Sequence, residues 1–469
     1  MAVVIKTFTT PGGKYVYDRE SNWVLSVSDA EFESFARIEK GAFSDKDIVV
    51  LKRYQGQGYC LDNEVTEISH PATPVLGTQI SRKMKQLTMQ VTQNCNLRCK
   101  YCIYGGGYDH QRTHSSQTMP LETMKKCVDF LMAHSLEVPE VNCGFYGGEP
   151  LLEIEKIKAC VDYVKENYKG KNVRYSLTTN GTLFDDSTIE FLDSNNFNVL
   201  ISFDGPKELH DINRVYEDGS GSFDDIMSNV EYIKENHPVF YDKISFLSIV
   251  APGVDYACVN DFFNANEVLE SRNVMLNTVS QFSAKEAPNY DDLYDLTYSY
   301  QHMKVLFSIL GLYSKEKISK LFQAEIARIK RTYDEMLVPH RLLKSSHPSG
   351  PCLPGVMRPF VTVDGSIYPC ERVSEGSDVM AIGHIDSGID LSKAETLLNV
   401  GKSTEEECIN CWNFRYCMLC CAASNGGSEL SREMRLQQCI PSMNDTLNTF
   451  ATLCMLLENG CNMATIAER

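Results

Sequence analysis

Between residues 86 and 280 short apolar runs alternate with longer amphipathic stretches. Strands are predicted at 86–92, 141–146, 173–179, 198–203, 243–250 and 274–280, with helices at 121–135, 153–167, 186–195, 223–236 and 257–270. Six β units joined by five helices predict an α/β fold, a parallel sheet with right-handed crossovers. The pattern fits an open doubly wound sheet or a partial barrel, and in either the working residues belong at the C-terminal ends of the strands. Upstream, "GKYVYDRES" and "NWVLSVS" read as two strands around a polar turn, followed by a helix in "SDAEFESFARIEKG" with Ser28 as N-cap, Glu31 closing the cap and Gly41 as stop. "IVVLKRYQGQGYC" reads as a further strand and turn, and "SHPATPVLGTQI" as a linker. Residues 290–340 predict two helices leading into a cysteine-rich end.

With 469 residues the chain exceeds one small core, and the breaks in pattern suggest units at 1–80, 84–282, 283–349 and 350–469. The formal charge of -17 leaves no lysine and arginine stripe for a phosphate backbone, so nucleic acid is not an expected partner. No run of about 18 apolar residues predicts a membrane span, and the first residues lack a secretory apolar core, so a cytoplasmic location is expected. In a reducing compartment 18 cysteines read as metal ligands or catalytic groups before disulfides.

Directly after the first predicted strand of the α/β region comes "NCNLRCKYC", which holds Cys95, Cys99 and Cys102 at C-x3-C-x2-C. The residues between them are polar and charged, which does not suit three cysteines packed as small hydrophobes. The spacing also departs from the paired C-x2-C halves of a zinc ribbon. Thiolates on one short loop suit an iron–sulfur cube, and three of them leave one iron open for chemistry. "GFYGGEP" ends the second strand, "LTTNGTL" the third and "SFDGP" the fourth. Two glycines permit close backbone approach, although Asn-Gly and Asp-Gly-Pro are also ordinary turn signals.

The cysteine motif with an aromatic residue, Tyr101, before its last cysteine resembles the signature of radical S-adenosylmethionine (radical SAM) enzymes, and GGEP supports the likeness. The resemblance implies a partial (β/α)6 TIM-type barrel and a 4Fe–4S cluster on Cys95, Cys99 and Cys102. It implies S-adenosylmethionine contacts from Tyr101, Gly147, Gly148, Glu149, Asn180, Ser202, Asp204 and Arg214. Ser202 and Asp204 would lie near the ribose and Arg214 near the carboxylate. The implied reaction is hydrogen abstraction by a 5′-deoxyadenosyl radical; no acid–base pair can be assigned.

The C-terminal region carries a second pattern. Cys352 precedes a predicted hairpin, "FVTVDGSIYPCE", that ends at Cys370, and Cys408, Cys411, Cys417 and Cys421 follow as C-x2-C-x5-C-x3-C, then Cys439. Zinc is the rival reading of "CINCWNFRYC" alone. The arrangement resembles the SPASM domain, which implies two auxiliary 4Fe–4S clusters, one on Cys408, Cys411, Cys417 and Cys439 and one on Cys352, Cys370 and Cys421. Three clusters are therefore expected in all. Fully ligated relatives carry a further cysteine upstream, where this chain has "LLKSSHPSGPC". The open iron would await a substrate thiolate, with Cys420 and His347 as other candidates to fill it.

Residues 1–80 resemble the winged-helix-like recognition element of maturases for ribosomally made peptides, which binds a leader peptide by strand addition. Together the resemblances imply a thioether-forming maturase of the sactipeptide and ranthipeptide type. Its partners would be a leader-bearing precursor peptide and an external electron donor of flavodoxin or ferredoxin type. The alternatives are formylglycine formation on a sulfatase, carbon–carbon crosslinking of a peptide, and a non-enzymatic iron–sulfur carrier; the last is disfavoured by GGEP and SFDGP, which an electron carrier does not need.

Overall fold

The computed structural model describes residues 3–269, 272–338, 341–348 and 350–465, so the outermost residues of the expected end units and residue 349 lie outside it. At the N-terminus β1 (Ile5–Thr9), β2 (Lys14–Asp18) and β3 (Trp23–Ser26) form an antiparallel sheet in that order. The helix Asp29–Glu39 follows, with the expected Ser28–Glu31 capping box. The next segment corrects an expectation: 48–54 lies in the helix Asp45–Gln55, not in a strand. A second capping box, Ser44 with Asp47, starts that helix and Leu51 is buried beneath it, which outweighs the strand preference of Ile48, Val49 and Val50. The expected linker ends in the helix Leu76–Arg82, and before it β4 (Glu67–Ile68) forms.

The α/β region holds β5 (Gln86–Thr92), β6 (Glu140–Gly147), β7 (Asn172–Thr179), β8 (Phe197–Ser202), β9 (Ile244–Val250) and β10 (Val274–Thr278). All five pairs among these six strands are parallel, and within the six each strand pairs with its neighbours in sequence. A doubly wound sheet needs a reversal of strand order, and none occurs here. The winding is that of a partial TIM-type barrel. Along β9 buried and half-buried residues alternate, the signature of a strand with one face under helices and the other toward the barrel interior. Phe145, Phe197, Phe203 and Phe246 are buried in this core.

Two helices, Asp292–Ile309 and Gln323–Met336, lead to the C-terminal region. There β11 (Ser345–Ser346) pairs with β4. The expected hairpin is β12 (Phe360–Val361) and β13 (Ser366–Tyr368), and β14 (Gly383–His384) and β15 (Gly388–Ile389) extend it. β12 also pairs in parallel with β5, Phe360 opposite Thr88, so the cysteine-rich region continues the barrel sheet. The helix Cys439–Glu458 packs through Phe450, Leu453 and Leu456 against Phe8 and Tyr17 of the N-terminal sheet. Among the described residues no helix is long and apolar enough to cross a membrane.

Candidate active site

Sheet geometry carries the loop after β5, the end of β6 and the ends of β7 and β8 to one mouth, as parallel winding requires. The loop after β5 holds Cys95, Cys99 and Cys102, all partly exposed. Two of its backbone amides point at sulfur: Leu97 N donates to Cys95 Sγ and Tyr104 N to Cys102 Sγ, each at 3.4 Å. Asn180 Nδ2 donates to Asn96 Oδ1 at 2.7 Å and stands 3.9 Å from Cys95 Sγ. Burial above all pushes the Cys95 thiol up to about 12 and the Cys99 thiol to about 11, and the neighbouring Cys102 contributes to both. Three neighbouring, partly exposed thiols on one loop, with amide donors on two of the sulfurs, fit the ligand set of a cluster that takes thiolates.

The glycines of GGEP have a definite neighbour. A Cβ on Gly147 would lie 2.2 Å from Thr92 O, and one on Gly148 would lie 2.0 Å from Asn94 O. Gly148 N and Glu149 N donate to those same two carbonyls at 2.9 and 2.8 Å. The close approach is thus to the backbone entering the cysteine loop. Glu149 is held by its own neighbours. Its carboxylate is buried and accepts from Leu151 N at 3.0 Å, Thr179 Oγ1 at 2.7 Å and Asn180 N at 2.7 Å. Burial pushes it up to about 7 against these hydrogen bonds. It ties the end of β6 to the end of β7.

Tyr101, Asp204 and Arg214 come together. Tyr101 donates to Asp204 Oδ2, Arg214 Nε lies 2.9 Å from Asp204 Oδ1 as an ion pair without a directed N–H bond, and the guanidinium stands 5.5 Å from the Tyr101 ring centre. Ile249 N donates to Asp204 Oδ1 at 3.1 Å. Ser202 ends β8, half-exposed.

Two features carried no sequence signal. His210 is buried, accepts at Nδ1 from Asp204 N at 3.3 Å and meets Ser222 Oγ at 3.0 Å through Nε2; burial holds it far below the usual histidine range. Beside the cysteine loop, Gln90 and Arg112 both donate to the Glu375 carboxylate at 2.8 and 2.9 Å, and Arg112 stacks 3.5 Å over Tyr104. That network joins the barrel to the C-terminal region across 263 residues, which no local pattern announces. The run Gly105–Gly107 packs along 283–285, with Lys285 N donating to Gly107 O at 3.0 Å.

In the C-terminal region the Cys411 thiol, raised first by burial to about 12, also feels Cys417, Cys408 and Cys439. These four thiols are neighbours. Cys370 and Cys421 also stand together, and Cys420 joins them, its thiolate stabilised by a hydrogen bond from Cys421. Cys352 is exposed, and two residues before it a Cβ on Gly350 would meet Cys417 O at 2.7 Å. His347 has both ring nitrogens engaged, Nδ1 with Pro348 O at 2.7 Å and Nε2 accepting from Gly401 N at 3.0 Å, which leaves none for a metal. Among the described residues no three His, Cys, Asp or Glu side chains close on one ion-sized point. A lone zinc ion needs donors at about 2.0–2.3 Å, whereas thiolates of a cube each reach a separate iron.

Comparison with known proteins agrees with this geometry. Residues 89–265 match the Radical SAM superfamily. The chain is 28% identical over 349 residues to the cysteine-type anaerobic sulfatase-maturating enzyme of Clostridium novyi (strain NT), a match covering 72% of this chain and 87% of that one. It is 25% identical over 251 residues to the radical SAM cyclopropyl synthase TigE of Paramaledivibacter caminithermalis, covering 51% of this chain and 49% of that one. The structure of native anSMEcpe with bound AdoMet has the same fold, with a TM-score of 0.56 at 24% identity over 80% of this chain and 100% of that chain. The cysteine loop and most of the singly wound parallel sheet fall within the residues, 89–265, that match the Radical SAM superfamily.

Proposed function

We propose that this chain is a radical SAM enzyme that oxidises a residue of a peptide or protein substrate. The carrying observation is the convergence of Cys95, Cys99 and Cys102 with the β6 end and Asn180 at one barrel mouth. When bound, the cluster and S-adenosylmethionine supply a 5′-deoxyadenosyl radical able to take hydrogen from an unactivated carbon. The chain's own residues do the rest. Thr92 and Asn94 carbonyls fix the β6 end, Asn180 and two amides steady the sulfurs, and Asp204 holds Tyr101 and Arg214 beside the cysteine loop. The units at 1–80, 84–282 and 350–469 serve in this reading as recognition element, radical core and auxiliary-cluster domain.

Oxidation of a peptidyl cysteine to formylglycine is the reaction nearest the relatives, since the sulfatase-maturating enzyme matches over most of both chains. Thioether formation is the second reading. Two observations favour it: the outer side of β3 pairs with no strand among the described residues, and Cys352, Cys370 and Cys421 have no fourth cysteine upstream. Anaerobic reaction of the reconstituted enzyme with a cysteine peptide separates them. Formylglycine formation replaces sulfur by oxygen and yields an aldehyde, whereas a thioether keeps sulfur and loses two hydrogens. A peptide recovered unchanged while 5′-deoxyadenosine accumulates would refute both.

A further inference from the structure

The turn between β2 and β3 is built unlike the surface of a detachable recognition module. Arg19 and Glu20 form an ion pair with both side chains 0% exposed. Such a pair is costly to desolvate and is retained only where further hydrogen bonds compensate. Here they reach into the cysteine-rich region. Arg19 Nη1 donates to Ile409 O at 2.7 Å and lies 3.4 Å from Cys411 O, while Nη2 donates to Asn63 Oδ1. Asn63 Nδ2 donates to the same Ile409 O at 3.0 Å. The grip is returned: Arg415 donates to Arg19 O at 2.7 Å and to Glu20 O at 3.1 Å, and Tyr416 donates to Asn22 Oδ1 at 3.1 Å. Every segment seized lies between Cys408 and Cys417, the loop that brings three of the four grouped thiols.

We infer that Arg19 is a positioning residue for the Cys408–Cys411–Cys417–Cys439 site, so that the N-terminal domain is a wall of that site. The inference rests on the reading that these four thiols hold an auxiliary cluster. Arg19 fixes the carbonyls of Ile409 and of Cys411 itself, and its charge offsets that of the buried Glu20 in the same turn. A peptide added to the free edge of β3 would then sit one strand from the residues that shape this site.

The test uses the full-length chain, reconstituted anaerobically, as wild type, Arg19→Gln and Arg19→Lys, with redox titration of each cluster followed by electron paramagnetic resonance. In Arg19→Gln the Glu20 carboxylate stays buried without its cation, so one auxiliary signal is expected to move to a more negative potential or disappear, with the Cys95–Cys99–Cys102 signal unmoved. Arg19→Lys keeps the charge without the fork and is expected to give a smaller shift of the same signal; it serves alone if Arg19→Gln does not fold. Auxiliary potentials and line shapes unchanged in the folded variants would overturn the inference while leaving the cluster reading intact. A wild-type protein holding only the Cys95–Cys99–Cys102 cluster would overturn both.

Discussion

Gly148 occupies a position where the next larger side chain has nowhere to go, because the atom facing its missing Cβ is a backbone oxygen. Gly148→Ala is expected to push the β6 end off the cysteine loop, at about 1–3 kcal/mol for an overpacked site. Cleavage of S-adenosylmethionine should fall at least about tenfold, a ratio worth 1.4 kcal/mol on the same scale; an unchanged rate of 5′-deoxyadenosine release would remove the loop contact from the account. His210 gives a pH test. It is neutral in the fold and takes a proton near its ordinary value of about 6.5 once unfolded. The unfolded state therefore binds more protons below that value, and stability is full above it and lost as pH falls, by up to about 1.4 kcal/mol per unit. Thermal midpoints between pH 7 and 5 should fall less steeply in His210→Gln than in the wild type. At this scale the cysteine motif was legible because its spacing is local. The internal contacts of Glu149 were not, because two of its three donors, Thr179 at the end of β7 and Asn180 just after it, come from another strand-and-loop unit.

The elements of the barrel were legible for the same reason. The predicted strand at 86–92 and helix at 223–236 match Gln86–Thr92 and Phe223–Asn236, since apolar periodicity follows the sheet and its covering helices. Winding direction was not legible, as alternation alone fits either arrangement and only strand order separates them. The segment at 48–54 misled because the strand preference of a β-branched run depends on context, and here a capping box starts a helix that anchors Leu51 in the core. The least foreseeable contact at this scale is that of the expected hairpin after Cys352, whose first strand extends the barrel beside β5. Phe360 is fully buried there and meets Tyr146 edge-on at 6.1 Å. Phe360→Ala is expected to cost about 3–5 kcal/mol and to loosen the strand pair that leads to Cys370. Chemical denaturation checks the stability, and faster hydrogen exchange over 360–370 checks the location; a loss spread evenly over the chain would argue against a local anchor.

At the scale of the whole molecule the N-terminal sheet, the barrel and the cysteine-rich end are joined by contacts such as Arg19 to Ile409, 390 residues apart in sequence. No reading of one segment reveals these, and they change what a truncation means. Removing residues 1–80 would uncover Phe450, Leu453 and the loop around Cys411, so loss of solubility and of iron is expected together with any loss of peptide binding. Three cubes require about 12 irons per chain and a single one about 4, so iron analysis of the intact chain tests the C-terminal assignments. The central claim is that this barrel directs a carbon radical at a peptide. It is tested most directly by anaerobic turnover on a cysteine peptide encoded beside the gene and deuterated at its carbon positions, with mass analysis of both products. Deuterium appearing in 5′-deoxyadenosine with a matching loss from the peptide is the expected result; 5′-deoxyadenosine free of deuterium beside an unaltered peptide would contradict it.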